Sequence, residues 1–279
     1  MYDRIIYLYR DQRYVYKYIE YQLLVSETGI RDILKKRGIT LRTYSEVNQK
    51  YKRNSHYFDQ IDNENKAYYL GLLFADGNNF SKHNAITLSL QEEDGYIVEK
   101  FKDEIEYEGC IHYDEKNKQN PNYKNQVRIT INDEYMSRRL YQLGLVDNKG
   151  LILKFPDYLE GKYLRHFVRG YFDGDGGIFY DKKRNRLATN TTGTLEVITS
   201  IKNILNGLGI DCNIHHPKQS LDHNTYILLT CGNKNSLKYL SWIYENSYIK
   251  MIRKFDKYLY GKIKHGTSEN LIMPNELYE

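Results

Sequence analysis

Two nine-residue segments of this chain repeat one pattern: Tyr69-Leu-Gly-Leu-Leu-Phe-Ala-Asp-Gly77 and Val168-Arg-Gly-Tyr-Phe-Asp-Gly-Asp-Gly176. They start 99 positions apart, about the length of a compact subdomain. Gly71 and Ala75 are four apart, as are Gly170 and Gly174. On a helix such positions share a face, so each segment presents a stripe almost free of side chains. Two such stripes let two helix backbones approach closely. Leu70, Leu72, Leu73 and Phe74, with Val168, Tyr171 and Phe172, are then expected to turn toward the core of each half.

The stretches C-terminal to the two segments repeat as well. After the first, Ala85–Gln91 alternates as a strand does, and Glu93–Glu106 has helical periodicity with Ile97, Val98, Phe101 and Ile105 on one side. Strand patterns at Cys110–Asp114 and Gln126–Asn132 and a helix at Asp133–Leu143 complete that half. After the second segment come strands at Gly177–Tyr180 and Arg186–Thr191 and a helix near Thr194–Leu208. Strands at Cys212–His215 and Thr225–Cys231 and a helix at Asn235–Asn246 complete the second half. Each half reads αββαββα. The fold class is α+β, because paired strands this close in sequence form hairpins and not parallel crossovers. The expected divisions are a front module with its linker at 1–60, a first half at 61–155, a second half at 156–265 and a tail at 266–279.

Each segment ends in an aspartate, Asp76 or Asp175, followed by glycine. A carboxylate at a helix C-terminus faces the negative end of the helix dipole, which costs about 0.3–1 kcal/mol. Close packing of the two helices adds like-charge repulsion. A single Asp-Gly reads as a helix-ending turn. Two copies in equivalent places point to divalent cations between the carboxylates, with Mg²⁺ the hard cation suited to few protein oxygens, water and phosphate. Such a site can activate water and stabilise a leaving oxygen in phosphodiester hydrolysis.

The chain has a formal net charge of +5, and residues 1–60 carry all of the surplus. Between Arg31 and Arg53 there are 8 basic and 2 acidic residues. Helical signals at Asp11–Tyr21 and Glu27–Arg37, with Ser26 and Gly38 as caps, suit a helix-turn-helix whose basic second member faces a polyanion or solvent. Arg31, Lys35, Lys36, Arg37 and Arg42 are its candidate phosphate or base contacts. Residues Ser45–Asp62 read as a polar linker.

The two segments resemble the paired motifs of the LAGLIDADG homing endonucleases, DOD-type. The resemblance extends over residues 62–262 through the repeat, through Asn148-Lys149-Gly150 with Phe155-Pro156, and through Arg253-Lys254. It implies a DNA-binding saddle of two pseudo-twofold-related αββαββα halves with the motif helices at the axis. It also implies Mg²⁺-dependent cleavage of both DNA strands, with Mn²⁺ as a substitute, by a single-chain monomer. The family's catalytic, metal-binding acids map onto Asp76 and Asp175. Lys149 and Lys254 are, by position, the basic groups near the scissile phosphates. Three features depart from the pattern: Phe74 at the sixth motif position, Asp173 at the equivalent place as a capping or hydrogen-bonding residue, and Asn78-Asn79 as a looser turn than Gly176-Gly177. The segment from Thr28 to Thr43, with Ser45, Glu46 and Asn48, resembles the helix-turn-helix that precedes some phage-type endonuclease domains.

On DNA-facing strands, Thr87, Ser89 and Gln91, then Arg128 and Thr130, and in the second half Arg186, Thr189 and Thr191, are candidate base contacts. His215, His216, His223 and Asn224 read as a polar loop, since no Cys/His metal spacing accompanies them. Cys110, Cys212 and Cys231 form no CxxC motif, which argues against a disulfide framework and for a reduced, intracellular setting, cytoplasmic or organellar. No apolar run is long enough to span a bilayer, so a membrane partner is not expected. A start at Met1 and an end without His-Asn suggest a free-standing enzyme, not an intein. The expected partner is a double-stranded DNA site. The alternative is a non-cleaving binder: an intron maturase gripping intron RNA, or a transcription regulator on the same scaffold.

Overall fold

The computed structural model describes residues 1–12, 14, 16–42, 51–159, 161–217 and 224–266. Residues 43–50 of the helix-turn-helix-like stretch, His223, and the tail beyond Gly266 lie outside the described residues. The chain divides into two compact units, Met1–Lys52 and Arg53–Glu279.

The first unit is helical: α1 (Tyr2–Ile6), a wide turn at Tyr7–Asp11, α2 (Tyr16–Leu23) and α3 (Glu27–Lys36). Ile5, Leu8, Tyr9, Tyr16, Ile19, Ile30 and Leu34 form its core. The Ser26 hydroxyl accepts from the Gly29 amide, and Gly38 follows the helix at φ +69°, the N-cap and C-terminal glycine expected from the sequence. The preceding helix starts five residues later than expected, at Tyr16. There the Tyr9 and Tyr16 hydroxyls meet at 2.8 Å, a tertiary contact that local periodicity does not reveal. A three-residue turn joins α2 to α3, with Leu24 at φ 53°.

In the second unit, α4 (Glu64–Ala75) leads into β1 (Gly77–Phe80) and β2 (Ala85–Gln91), then α5 (Gly95–Glu104), β3 (Ile111–Asp114), β4 (Gln126–Asn132) and α6 (Glu134–Gln142). The series repeats as α7 (Leu164–Asp175), β5 (Gly176–Asp181), β6 (Arg186–Gly193), α8 (Leu195–Gly207), β7 (Cys212–His215), β8 (Tyr226–Cys231) and α9 (Asn233–Tyr244). A last helix, α10 (Ile252–His265), was not expected from the sequence. The αββαββα halves are thus present twice. Both sheets are antiparallel, with orders β1-β2-β4-β3 and β5-β6-β8-β7.

One face of each sheet is closed by helices. Ile86, Leu88, Leu90, Val127, Ile129 and Ile131 are buried with Ile97, Val98 and Phe101 of α5 and Met136 and Leu140 of α6. Strand period 2 leaves Thr87, Ser89, Gln91, Arg128 and Thr130 on the other, open face, as expected. Three expectations are corrected. Asn78 and Asn79 form no turn but lie in β1, where the buried Asn79 amide donates to the Ser137 and Leu145 carbonyls. Residues 53–62 are not a free linker, because Tyr57 and Phe58 are buried near Phe101 and Arg53 pairs with buried Asp133. Thr189 and Thr191 are each 1 % exposed. They lie on the helix-covered face with Leu187, because odd positions of β6 point inward. Burial of Thr189 is tolerated because its hydroxyl bonds that of Thr230 at 2.6 Å. Among the described residues no helix is long and apolar enough to cross a membrane.

Candidate active site

The site is built by the contact of α4 with α7. A Cβ placed on Gly71 would lie 2.0 Å from the Phe167 carbonyl oxygen, and one on Gly170 would lie 2.0 Å from that of Tyr68. The two contacts exchange under the 99-residue offset of the repeat, so the helices meet across a local twofold axis. Only glycine allows this approach at either place. A Cβ on Gly174 would sit 2.3 Å from the Ala75 Cβ and 3.0 Å from an Asp76 carboxylate oxygen. Gly71, Ala75, Gly170 and Gly174 therefore all take part in the contact, and it carries Asp76 and Asp175 to the same end of the helix pair.

Asp76 caps α4 and Asp175 is the last residue of α7. Burial, then the neighbouring Asp76 charge, pushes the Asp175 carboxyl up to about 6, against the pull of Lys149 and Lys254. Asp76 keeps an open surface, yet crowding by protein atoms raises its carboxyl too, with Lys149, Lys254 and Arg253 opposing. The arrangement disfavours two free negative charges at this spot.

Two lysines answer the helix ends. Lys149 Nζ donates to the carbonyls of Leu73 (2.8 Å), Phe74 (2.7 Å) and Ala75. Lys254 Nζ donates to those of Phe172 (2.9 Å), Asp173 (2.5 Å) and Gly176 (2.6 Å). Leu73 and Phe172, like Phe74 and Asp173, correspond under the repeat. The last carbonyls of each helix have no intrahelical donor, and an ammonium there also suits the dipole. Burial lowers both lysines to about 8, with Asp175 and Asp76 opposing at Lys149 and Asp173 and Asp76 opposing at Lys254. A cavity of about 130 Å³ opens beside Asp175, lined by Lys149, Tyr171, Thr192 and Thr194 among others.

Asp173 is fully buried and accepts from Tyr68 Oη, Tyr244 Oη and the Met251 amide. It is a hydrogen-bonding residue, as expected. Arg253, beside Lys254, donates to Asp94 at 2.7 Å. Asp94 falls in the first turn of the helix expected at Glu93–Glu106, where an acid is ordinary, so the sequence carries no signal for this ion pair.

The two halves differ in how they present the open sheet face. Arg186 is on it, with Asn190 and Thr192 in place of Thr189 and Thr191. His216 stacks on Tyr226 at 4.3 Å, and Asn224 donates to the Leu151 carbonyl. Among the described residues no group of three or more His, Cys, Asp or Glu is placed to hold a metal.

In the helical unit, Arg31 pairs with Glu27 and lies over the Tyr16 ring, and Arg42 lies over Tyr9 and donates to the Tyr14 carbonyl. Both are engaged within the unit. Lys35, Lys36 and Arg37 are exposed.

Residues 162–244, which run from two positions before α7 to the end of α9, match the family model described as a LAGLIDADG-like domain. The second half is similar to a LAGLIDADG-like domain. Asp175 and the Gly170/Gly174 stripe lie inside the matched LAGLIDADG-like region. A protein of Methanocaldococcus jannaschii, named only as uncharacterized, is 23% identical over 210 residues, covering 71% of this chain and 74% of that protein. The I-LtrWI LAGLIDADG homing endonuclease bound to target DNA aligns with a TM-score of 0.49 and 13% identity over 78% of this chain and 95% of its own. The N-terminal LAGLIDADG domain of DUF199/WhiA aligns with a TM-score of 0.40 and 16% identity over 74% and 94%.

Proposed function

We propose that this protein is a site-specific endonuclease that hydrolyses both strands of a DNA target with Mg²⁺ held by Asp76 and Asp175. One observation carries the reading. Two aspartates end two helices that glycine contacts pack about a local twofold axis, and a duplex also has local twofold symmetry. The donor set suits a hard cation, since carboxylate oxygens are the ligands here and the site is open enough for water and phosphate. When bound, the cation supplies a polarised water and neutralises charge on the leaving oxygen.

The chain's own groups do the rest. Asp76 and Asp175 are fixed by the helix contact, so each carboxylate holds its place at the axis. Lys149 and Lys254, anchored by three or more carbonyls each, set positive charge beside the carboxylates, where it stabilises a pentavalent phosphorus. The open strand residues Thr87, Ser89, Gln91, Arg128, Thr130 and Arg186 face outward for groove contacts. Lys35, Lys36 and Arg37 of the helical unit add phosphate contacts. Nothing in this set requires a second copy of the chain, and the reading is of a monomer.

The test is cleavage of genomic DNA from a related strain lacking the gene, with Mg²⁺, by wild type and by Asp76→Asn/Asp175→Asn, with ends mapped by sequencing. A few reproducible staggered breaks made only by wild type are expected. Full cleavage by the double variant would defeat the reading. Salt-sensitive binding to DNA or structured RNA without any cleavage would replace it with a regulator or maturase.

A further inference from the structure

The two halves put different chemistry on equivalent open-face positions. In the first half, β4 presents Arg128, Thr130 and Asn132 opposite Ser89, Thr87 and Ala85. In the second, β8 presents Ile227, Leu229 and Cys231 opposite Thr192, Asn190 and Ala188. Thr87 lies across from Asn78 and Asn190 from Gly177. Asn78 and Gly177 are 99 positions apart, so the registers superpose. A hydrogen-bonding triplet in one half is thus an aliphatic and thiol triplet in the other. Phe179, 55 % exposed, lies opposite Ala188 as Phe80, 46 % exposed, lies opposite Ala85 in the first half, so the contrast between the halves is carried by Ile227 and Leu229.

An apolar strip on an open sheet face is unfavourable in water unless a partner covers it. The rim identifies the charge of that partner. The hairpin joining β5 to β6 carries Lys182, Lys183 and Arg184, all exposed, with Arg186 next along the strand. Asp181 is the acid near this group, 3.9 Å from Arg184. The equivalent turn of the first half, Ser81–Asn84, holds one lysine and one histidine. A basic rim around an apolar strip matches a surface with anions outside and methyl groups within. The major groove of thymine-rich DNA is such a surface, because each thymine exposes its C5-methyl group there and alanine, threonine and phenylalanine side chains contact it.

We propose that the second half recognises a thymine-rich half-site through Ile227 and Leu229. Lys182, Lys183 and Arg184 hold the flanking phosphates. The first half reads its half-site by hydrogen bonds from Arg128, Thr130 and Asn132. The inference rests on the DNA-binding part of the proposed function and extends it to the sequence bias of one half-site.

The test is selection of duplexes from a randomised pool by the full chain carrying Asp76→Asn/Asp175→Asn, which keeps the DNA intact. One half of the selected consensus is expected to be thymine-rich. Replacing its thymines with deoxyuridine, which lacks the methyl, should weaken binding about four-fold per contacted methyl. The same replacement in the other half should leave affinity unchanged. Ile227→Asn/Leu229→Asn, on the open face and so compatible with folding, should relax selection in the thymine-rich half alone. A consensus without thymine bias, affinity indifferent to deoxyuridine, or relaxation of both halves alike would overturn the inference while leaving DNA binding in place. A chain that binds no duplex would overturn the proposed function and this inference together. A concentration-dependent dimer abolished by Leu229→Asn would assign the strip to a second copy and also overturn it.

Discussion

The Tyr68 hydroxyl donates to Asp173 at 2.9 Å in the fully buried contact between α4 and α7. At the twofold-equivalent places, Phe167 and Phe74 fill the same space with ring centroids 5.3 Å apart. One interface position is therefore satisfied once by an aromatic pair and once by a hydrogen-bonded acid. The acid also gathers Tyr244 and the Met251 amide, so it ties α9 and the segment that delivers Lys254 to the motif helix. Asp173→Ala leaves two hydroxyls and an amide without an acceptor and should destabilise the second unit by about 3–5 kcal/mol. Tyr68→Phe removes one bond and should cost about 2 kcal/mol. Urea midpoints at unchanged m-value give both numbers, and equal losses would contradict the shared-acceptor role.

Glycine at the helix crossing is not interchangeable with glycine elsewhere. Gly71→Ala and Gly170→Ala drive a methyl into a backbone carbonyl 2.0 Å away and should each cost about 3 kcal/mol or more, because the helices themselves must separate. Gly207→Ala, in the last turn of α8 with nothing within 4 Å, should instead stabilise by about 0.5–1 kcal/mol. Thermal midpoints of the three variants should move in opposite directions. A shared sign would show that the contact is looser than these distances.

Burial of His166 should make the fold sensitive to acid. Burial, then Arg169 and Arg165, lowers its imidazole to about 2, and its Nδ1 meets Arg169 at 2.6 Å. The folded value lies below the unfolded value of about 6.5, so the unfolded chain takes up the proton first. The stability this neutral histidine contributes is complete above about pH 6.5 and declines as pH falls toward 2, at up to about 1.4 kcal/mol per pH unit. His166→Gln, which can still accept from Arg169, should flatten the stability profile between pH 6.5 and 4. A profile identical to wild type would assign the acid loss to other groups.

A divalent cation should stabilise the folded chain by binding it in preference to the unfolded one. Millimolar Mg²⁺ is expected to raise the thermal midpoint of wild type but not of Asp76→Asn/Asp175→Asn, and chelation should reverse the rise. With Asp175 titrating at about 6 before the cation binds, the effect should fade as pH drops below that value, since the protonated carboxyl is not a ligand. Equal shifts in both proteins would place the cation elsewhere.

Much of this architecture is legible in the residues themselves because it depends on local spacing. The four-residue interval of Gly71 and Ala75 and of Gly170 and Gly174, the alternation of Ala85–Gln91, and the Ser26 cap all act within a few positions, so periodicity and capping rules reach them. Pairing Asp76 with Asp175 needs only the repeat. Tertiary structure alone decided what depends on distant partners. Thr189 can be buried because Thr230, from another strand, shares a hydrogen bond with its hydroxyl. Tyr57 and Phe58 leave a polar stretch to join the core near Phe101. Lys149 and Lys254 turn to the carbonyls of helices that end more than 70 positions away. The division is physical. Short-range preferences act on each segment separately, whereas burial and hydrogen-bond partnership are settled only when segments far apart in the chain are brought into contact.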